Sequence, residues 1–283
     1  MGDGTFRGSA RSRRRAGQPR ISWLIAALAI LMLGGASLAF PATTRGSISR
    51  AVFLPYVSNP PDPCQAIPGQ SYSAIPIVPP PTSIPAAQHP DLNLAIRGWQ
   101  LTNATLGLVY YNPGNGGPDP NAPQLANLFA DDRVPRFTHV ARVYNWDWST
   151  NRRGSVDTDW PVTVAGMAVT PGEVISLPSS GYRIYQGVYQ AMVLYASRQG
   201  ITVKYTRDDN VVYGYTIHVE GVCVQPGLLA LYDQMDASGR SALPALVGLQ
   251  VFGRANGGEI QVAIQDTGVF MDPRSHNDWW QSR

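Results

Sequence analysis

The sequence predicts a mainly β fold: an antiparallel sandwich or open barrel with two short helices, following an N-terminal export or anchor helix and a proline-rich linker. Three observations predict it. Apolar residues alternate with polar ones in short runs, and turn residues drawn from 28 Gly and 24 Pro separate those runs. One hydrophobic stretch near the N-terminus is too long and unbroken for a strand. No internal repeat of fixed period is present.

Arg7, Arg11, Arg13, Arg14, Arg15 and Arg20 precede an apolar run from Ile21 to Phe40. Arginines kept in the cytoplasm place everything beyond Ala42 on the far side of a membrane. The protein is therefore expected to be extracytoplasmic, either secreted or held to the cytoplasmic membrane by residues 21–40. Length favours an anchor, since about 20 apolar residues span a bilayer; the small residues Gly34, Gly35, Ala36 and Ser37-Leu38-Ala39 favour cleavage. Both readings stay open. Residues 1–42 are assigned to this segment and 43–90 to the linker. Eleven prolines between Val52 and Pro90 exclude a helix or a central strand there, so an extended spacer is expected, with Ile75, Ile77 and Val78 against the surface of the body.

Residues 91–283 read as a single β-rich domain, long enough for a sizeable core. A first helix is expected over Pro123–Ala130, and strands over Thr138–Trp148, Val162–Val169 and Tyr189–Ala196. The clearest alternation follows: Ile201, Val203 and Tyr205, then Val211, Tyr213, Tyr215, Ile217 and Val219. These predict a hairpin, and pairing odd with odd positions requires an odd loop of three or five residues. Its other face carries Thr202, Lys204, Thr206, Gly214, Thr216, His218 and Glu220. A second helix starts at Pro226 and runs towards Gly239, proline and glycine standing at its expected ends. Glu259–Gln265 closes the set of strands, and Trp279-Trp280 reads as a tail docked on the body.

Net charge says little about partners. The formal +3 belongs to the leader, because residues 1–39 hold six of the 22 basic residues and one of the 19 acidic ones, leaving 16 against 18. No basic patch argues for nucleic acid. Cys64 and Cys223 are the two cysteines, and an oxidising compartment pairs them, stapling the linker to the body. Neither they nor the four histidines have metal-ligand spacing, and no cofactor is expected. No Gly-x-Ser-x-Gly elbow or phosphate-binding glycine loop occurs. Residues 114–121, with Asp131 and Asp132 nearby, lack the Asp/Asn alternation of a calcium loop.

Tyr144-Asn145-Trp146-Asp147-Trp148 places Tyr144, Trp146 and Trp148 on one face of a strand. Such a row either stacks on sugar rings or fills the core between sheets, and the core reading is preferred. The best general acid or base candidates are His218, Glu259 and Asp147.

Between about Gly187 and Pro273, four segments resemble successive strands of the lysostaphin-type zinc peptidases, which cut peptidoglycan cross-links. They are Val193-Leu194-Tyr195-Ala196, Gly214-Tyr215-Thr216-Ile217-His218, Gly248-Leu249-Gln250-Val251-Phe252-Gly253, and Asn256 through Pro273. The family's His-x-His positions hold Glu259 and Gln261 here, and no upstream His-x-x-x-Asp is present, since His139 is followed four residues later by Val143. His218 alone stands where that family has a catalytic His. A hydrolytic zinc needs three protein ligands. The resemblance therefore implies a metal-free relative that binds peptidoglycan, an envelope polysaccharide or an envelope protein, with a hydrolase of the same material as the alternative.

Overall fold

The computed structural model describes residues 62–111 and 117–283. The arginine-rich leader, the Ile21–Phe40 run and the first part of the proline-rich segment lie outside the described residues. Among the described residues no helix is long and apolar enough to cross a membrane.

The fold is mainly β, built from antiparallel sheets and short helices, and among the described residues no sheet closes into a barrel. The main sheet crosses from β1 (Ser73–Pro76) through β11 (Ala242–Val247), β7 (Tyr189–Ala196), β8 (Gly200–Lys204), β9 (Tyr215–Glu220), β13 (Glu259–Asp266), β5 (Val164–Ala168) and β3 (Phe137–Asp147) to β2 (Trp99–Leu101). β14 (Val269–Met271) pairs β13, and β4 (Arg152–Val156) pairs β3. A smaller sheet joins β10 (Val222–Val224), β12 (Val251–Ala255) and β6 (Val174–Ser176). β13 is central: one edge pairs β9 over Gln261–Asp266, and the other pairs β5 with its first half and β14 with its second. The large core lies on the odd-numbered face of β8 and β9, where Ile201, Val203, Ile217 and Val219 pack with Val262, Ile264 and Phe252.

The β8–β9 register matches the expected parity, with Ile201 opposite Val219 and Val203 opposite Ile217. The loop is longer than expected. Tyr205 N donates to Tyr215 O, so the connection is Thr206–Gly214, and Val211 and Tyr213 leave the strand. The reason is Asp209, which turns inward and accepts from Arg240 Nε (2.8 Å), Arg240 Nη2 (2.7 Å) and the Thr82 amide (2.9 Å). A tight turn would leave that carboxylate in solvent; the buried ion pair holds the wide loop down instead.

The second half of the proline-rich segment belongs to the fold, which corrects the expected boundary at residue 91. Ser73–Pro76 pairs with Ala242–Ala245 as an edge strand, the one place in a sheet that tolerates proline because its N–H side needs no partner. Ile75 and Ile77 are buried in the main core, not laid on its surface. Tyr72 Oη donates to Val251 O, and the Gln225 amide exchanges two hydrogen bonds with the Ile67 backbone. The Cys64–Cys223 disulfide is formed, with Cα atoms 5.2 Å apart and 159 residues of separation. Closing so long a loop restricts the unfolded chain by up to about 5 kcal/mol in the chain-entropy model. Reduction and alkylation are therefore expected to lower unfolding stability by about 2–5 kcal/mol. Equal urea midpoints for oxidised and alkylated protein would contradict this.

The two expected helices fare differently. The longest helix among the described residues, α2, runs from Pro226 to Ala237 with proline in its first turn, after the shorter α1 (Leu94–Arg97). It buries Leu228 and Tyr232, one turn apart on a single face, and ends at Gly239 (φ +90°) and Arg240 (φ +56°). Pro123–Ala130 yields a single 3₁₀ turn, Leu125–Leu128. Leu125, Ala126 and Leu128 are all buried there, so the segment follows the core surface and exposes no polar face to support a helix. At the C-terminus α3 (His276–Trp279) carries the docked tail: Trp279 and Trp280 are buried, their indoles donating to Asp272 O and Pro273 O.

Candidate functional site

The even-numbered face of β8 and β9 was expected to be the polar side of a hairpin, and it is buried as well. Directly paired residues share a face. The registers therefore set three rows across the sheet: Lys204, Thr216, Gln265 and Phe270; Thr202, His218 and Ala263; and Gly200, Glu220, Gln261, Gly166 and His139. The middle row is roofed by α1 and the residues before it. Leu94 packs with Ala141, Val143, Val164, Ala263 and Phe270, and the Arg97 guanidinium lies 5.2 Å from the Phe270 ring centroid.

Under that roof His218 is fully buried, which separates it from the chemistry suggested for it. Its Nδ1 lies 3.0 Å from Thr202 Oγ1, and its Nε2 lies 3.2 Å from Gln265 Oε1. Thr202 spends its own proton on Leu92 O at 2.6 Å. Burial pushes the imidazole down to about 4, so it is neutral and donates from Nδ1 to Thr202. A neutral ring then accepts at Nε2, which requires the Gln265 amide turned nitrogen-first there, giving up the long 3.4 Å bond from that nitrogen to Gly268 O. His218 ties β8, β9 and β13 to the roof. Lys204, the chain's one lysine, is buried beside it, with Nζ 3.1 Å from Gly214 O and 3.3 Å from Thr216 Oγ1. Burial pushes its ammonium down to about 8.

The third row lies at the rim of the roof and is half open. Glu259 accepts from Thr138 Oγ1 and from Gln261 Nε2 (2.7 Å), with His139 Nδ1 at 3.1 Å. Burial opposes its ionisation, but these hydrogen bonds and the neighbouring imidazole outweigh that, leaving the carboxyl below its ordinary value. Glu220, opposite Gln261, has no hydrogen-bond partner among the described residues, and burial pushes its carboxyl up to about 7. Two glycines make room for this row. A Cβ on Gly200 would stand 2.3 Å from Glu220 Oε2, and one on Gly166 would stand 2.4 Å from His139 Nδ1. Two carboxyl groups of opposite protonation on neighbouring strands can act as acid and base. Among the described residues no three His, Cys, Asp or Glu side chains converge as a metal-ligand set.

Glu220 and His218 have opposite linkage to folding. Glu220 is raised, so the fold binds the extra proton and loses stability as pH climbs from about 4.5 to about 7. His218 is lowered, so its contribution is lost as pH falls from about 6.5 to about 4. The two slopes offset each other over most of that range. Glu220→Gln is expected to match the wild type below pH 4.5 and to exceed it by about 1–3 kcal/mol at pH 7. Urea midpoints of both proteins across that range test it; a pH-independent difference would show that Glu220 does not titrate in this window.

The aromatic stripe does not fill the core. Tyr144, Trp146 and Trp148 lie where β3 runs on past the sheet to pair with β4, and a register shift between Tyr144 and Trp146 breaks the simple alternation. Tyr144 lies under the Arg153 guanidinium, 5.9 Å from ring centroid to Cζ. Arg153 in turn donates to Ile96 O and Ala95 O, carbonyls of the single turn of α1. Trp146 is half-buried, and Trp148 is 52% exposed with its ring edge against His89. The stripe thus fastens the β3–β4 hairpin to the roof and presents one open indole. Asp147 is exposed, and hydrogen bonds from Ser149 and Thr150 pull it down to about 2. It caps the hairpin turn, roughly 25 Å along β3 from His139.

His218, Glu259 and Asp147 therefore occupy three separate environments. Around Glu259 the fold assembles Thr138, His139 and Gln261 instead, while Glu220, paired with Gln261 one strand over, turns its carboxyl towards Gly200. His139 comes from a distant strand, and nothing in its local sequence marks it; the one available signal was that Glu259, Gln261 and Gln265 share one face of their strand. The carboxylates near residues 114–121 are committed elsewhere: Asp131 pairs Arg133, Asp132 accepts from Asn127, and Asp119 accepts from two tyrosines. Comparison of the chain with protein-family models, curated proteins and solved structures returned no match.

Proposed function

We propose that this chain is an extracytoplasmic protein of the cell envelope that binds an envelope polymer or protein without cutting it. The observation that carries this reading is the dispersal of the reactive side chains. His218 is sealed and hydrogen-bonded on both nitrogens, Asp147 is spent on a turn, and Glu259 lies on a rim with neutral Gln261 beside it. The Cys64–Cys223 bond supports an oxidising compartment, in keeping with the arginine-flanked apolar run upstream. The resemblance to lysostaphin-type peptidases, with Glu259 and Gln261 at the His-x-His positions, supports a relative that kept the scaffold and not the metal.

A second reading, a hydrolase of peptidoglycan or envelope polysaccharide, is favoured by one observation: Glu220 and Glu259 are shifted in opposite directions. Incubating the purified protein with insoluble peptidoglycan and envelope polysaccharide, and analysing both the bound protein and released fragments, separates the two. Retention without fragments is the expected result. Soluble fragments that vanish in Glu220→Gln or Glu259→Gln would replace the binding reading with the hydrolase.

A further inference from the structure

Away from the polar rows, a groove opens beside the β8–β9 loop. Two adjoining cavities of about 210 and 320 Å3 share Tyr182, Tyr205 and Thr206 as walls. The first is completed by Tyr215, Gly214 and Asp266, the second by Arg183, Arg207 and Asp208 among others. The aromatic walls are fixed before any ligand arrives. Tyr182 Oη and Tyr215 Oη each donate to Asp119 Oδ2 at 2.9 Å, Tyr205 Oη donates to Pro178 O at 2.7 Å, and Trp279 abuts Tyr215 edge-on at 5.5 Å. Tyr182 still exposes 41% of its surface.

Resting on the binding reading above, we propose that this groove is the ligand site and that it takes a neutral saccharide chain. Three features select that chemistry. A fixed, exposed tyrosine ring offers an apolar face for the C–H face of a sugar ring. Both phenols spend their protons on Asp119, so their lone pairs accept from sugar hydroxyls while the Asp266 carboxylate supplies a further acceptor; the Thr206 hydroxyl is already bonded to Asp208. Charge around the groove is balanced once its neighbours are counted, Arg183, Arg207 and Lys204 against Asp119, Asp208 and Asp266, which favours an uncharged polyol over a phosphate-rich or acidic polymer. Ordering the walls in advance lowers the entropic cost of binding a flexible chain.

The test uses the full chain with its disulfide intact. Cellotetraose and chitotetraose are titrated by calorimetry, with polyphosphate as competitor, and sedimentation with whole envelope material is measured in parallel. Binding of at least one tetrasaccharide is expected, weakened about tenfold or more by Tyr182→Ala, weakened less by Tyr182→Phe, which keeps the ring and loses the phenol acceptor, and unchanged by Trp148→Ala or polyphosphate. Tyr182 is exposed enough for its truncation to leave the fold intact, which circular dichroism verifies. Loss of binding in Trp148→Ala, or competition by polyphosphate, would overturn the site or the ligand class. Absence of tetrasaccharide binding together with envelope sedimentation that Tyr182→Ala leaves unchanged would overturn the groove and leave the binding reading standing. Failure of the wild type to sediment would remove that reading as well.

Discussion

Arg240→Ala is expected to destabilise the domain by about 3–5 kcal/mol, because it strands a buried carboxylate. Asp209 is 0% exposed at its side chain, and Arg240 meets both of its oxygens. The guanidinium also donates to Leu194 O on β7 at 2.8 Å and to Asp236 at the end of α2, so one side chain ties the β8–β9 loop, the main sheet and the helix together. Asp209→Ala should cost a similar amount, leaving the arginine buried and the Thr82 amide unpartnered. Replacing both, as Asp209→Leu with Arg240→Met, should recover part of the loss, since the desolvation cost of both charges disappears while Leu194 O and Thr82 N lose their partners. Urea unfolding of the three variants decides it; single variants within 1 kcal/mol of wild type would mean that the pair contributes nothing.

Trp280→Ala is expected to cost about 3–5 kcal/mol, the range for truncating a buried indole. Trp280 is 0% exposed, packs edge-on against Phe137 with ring centroids 6.2 Å apart and donates to Pro273 O at 3.0 Å. For a domain of this size that corresponds to a fall in Tm of roughly 6–20 °C. A thermal scan settles it, and an unchanged Tm would show that the tail is not part of the cooperative unit. The neighbouring pair Asp272 and Arg274, with both side chains almost fully buried, holds the chain that delivers the two indoles.

Much of the main sheet was legible because its longer strands are alternating or continuous apolar runs bounded by turn residues. Tyr189–Ala196 matches its expected bounds, and Glu259–Asp266 and Phe137–Asp147 fall within one residue of theirs at each end. What escaped were short strands such as Val222–Val224 and Trp99–Leu101, where three residues carry too little period to read. Proline density hid β1, since the rule against proline in strands does not bind at an edge. Aromatic periodicity at residues 144–148 was real but pointed the wrong way: a row of rings on a strand signals a packed face only while that strand stays inside the sheet.

The sequence by itself determined the β class, the odd-to-odd pairing of β8 with β9, the α2 boundaries and the partner of each cysteine. Each of these depends on local period, end signals or simple counting. Only the tertiary structure decided that the polar face of that hairpin is roofed, that His218 is sealed while His139 meets Glu259, and that Tyr182 and Tyr215 share Asp119. Those outcomes depend on which distant segment covers a face. Burial sets the solvation of a side chain, and with it whether a histidine, a glutamate or a tyrosine is a structural tie or a group open to a ligand.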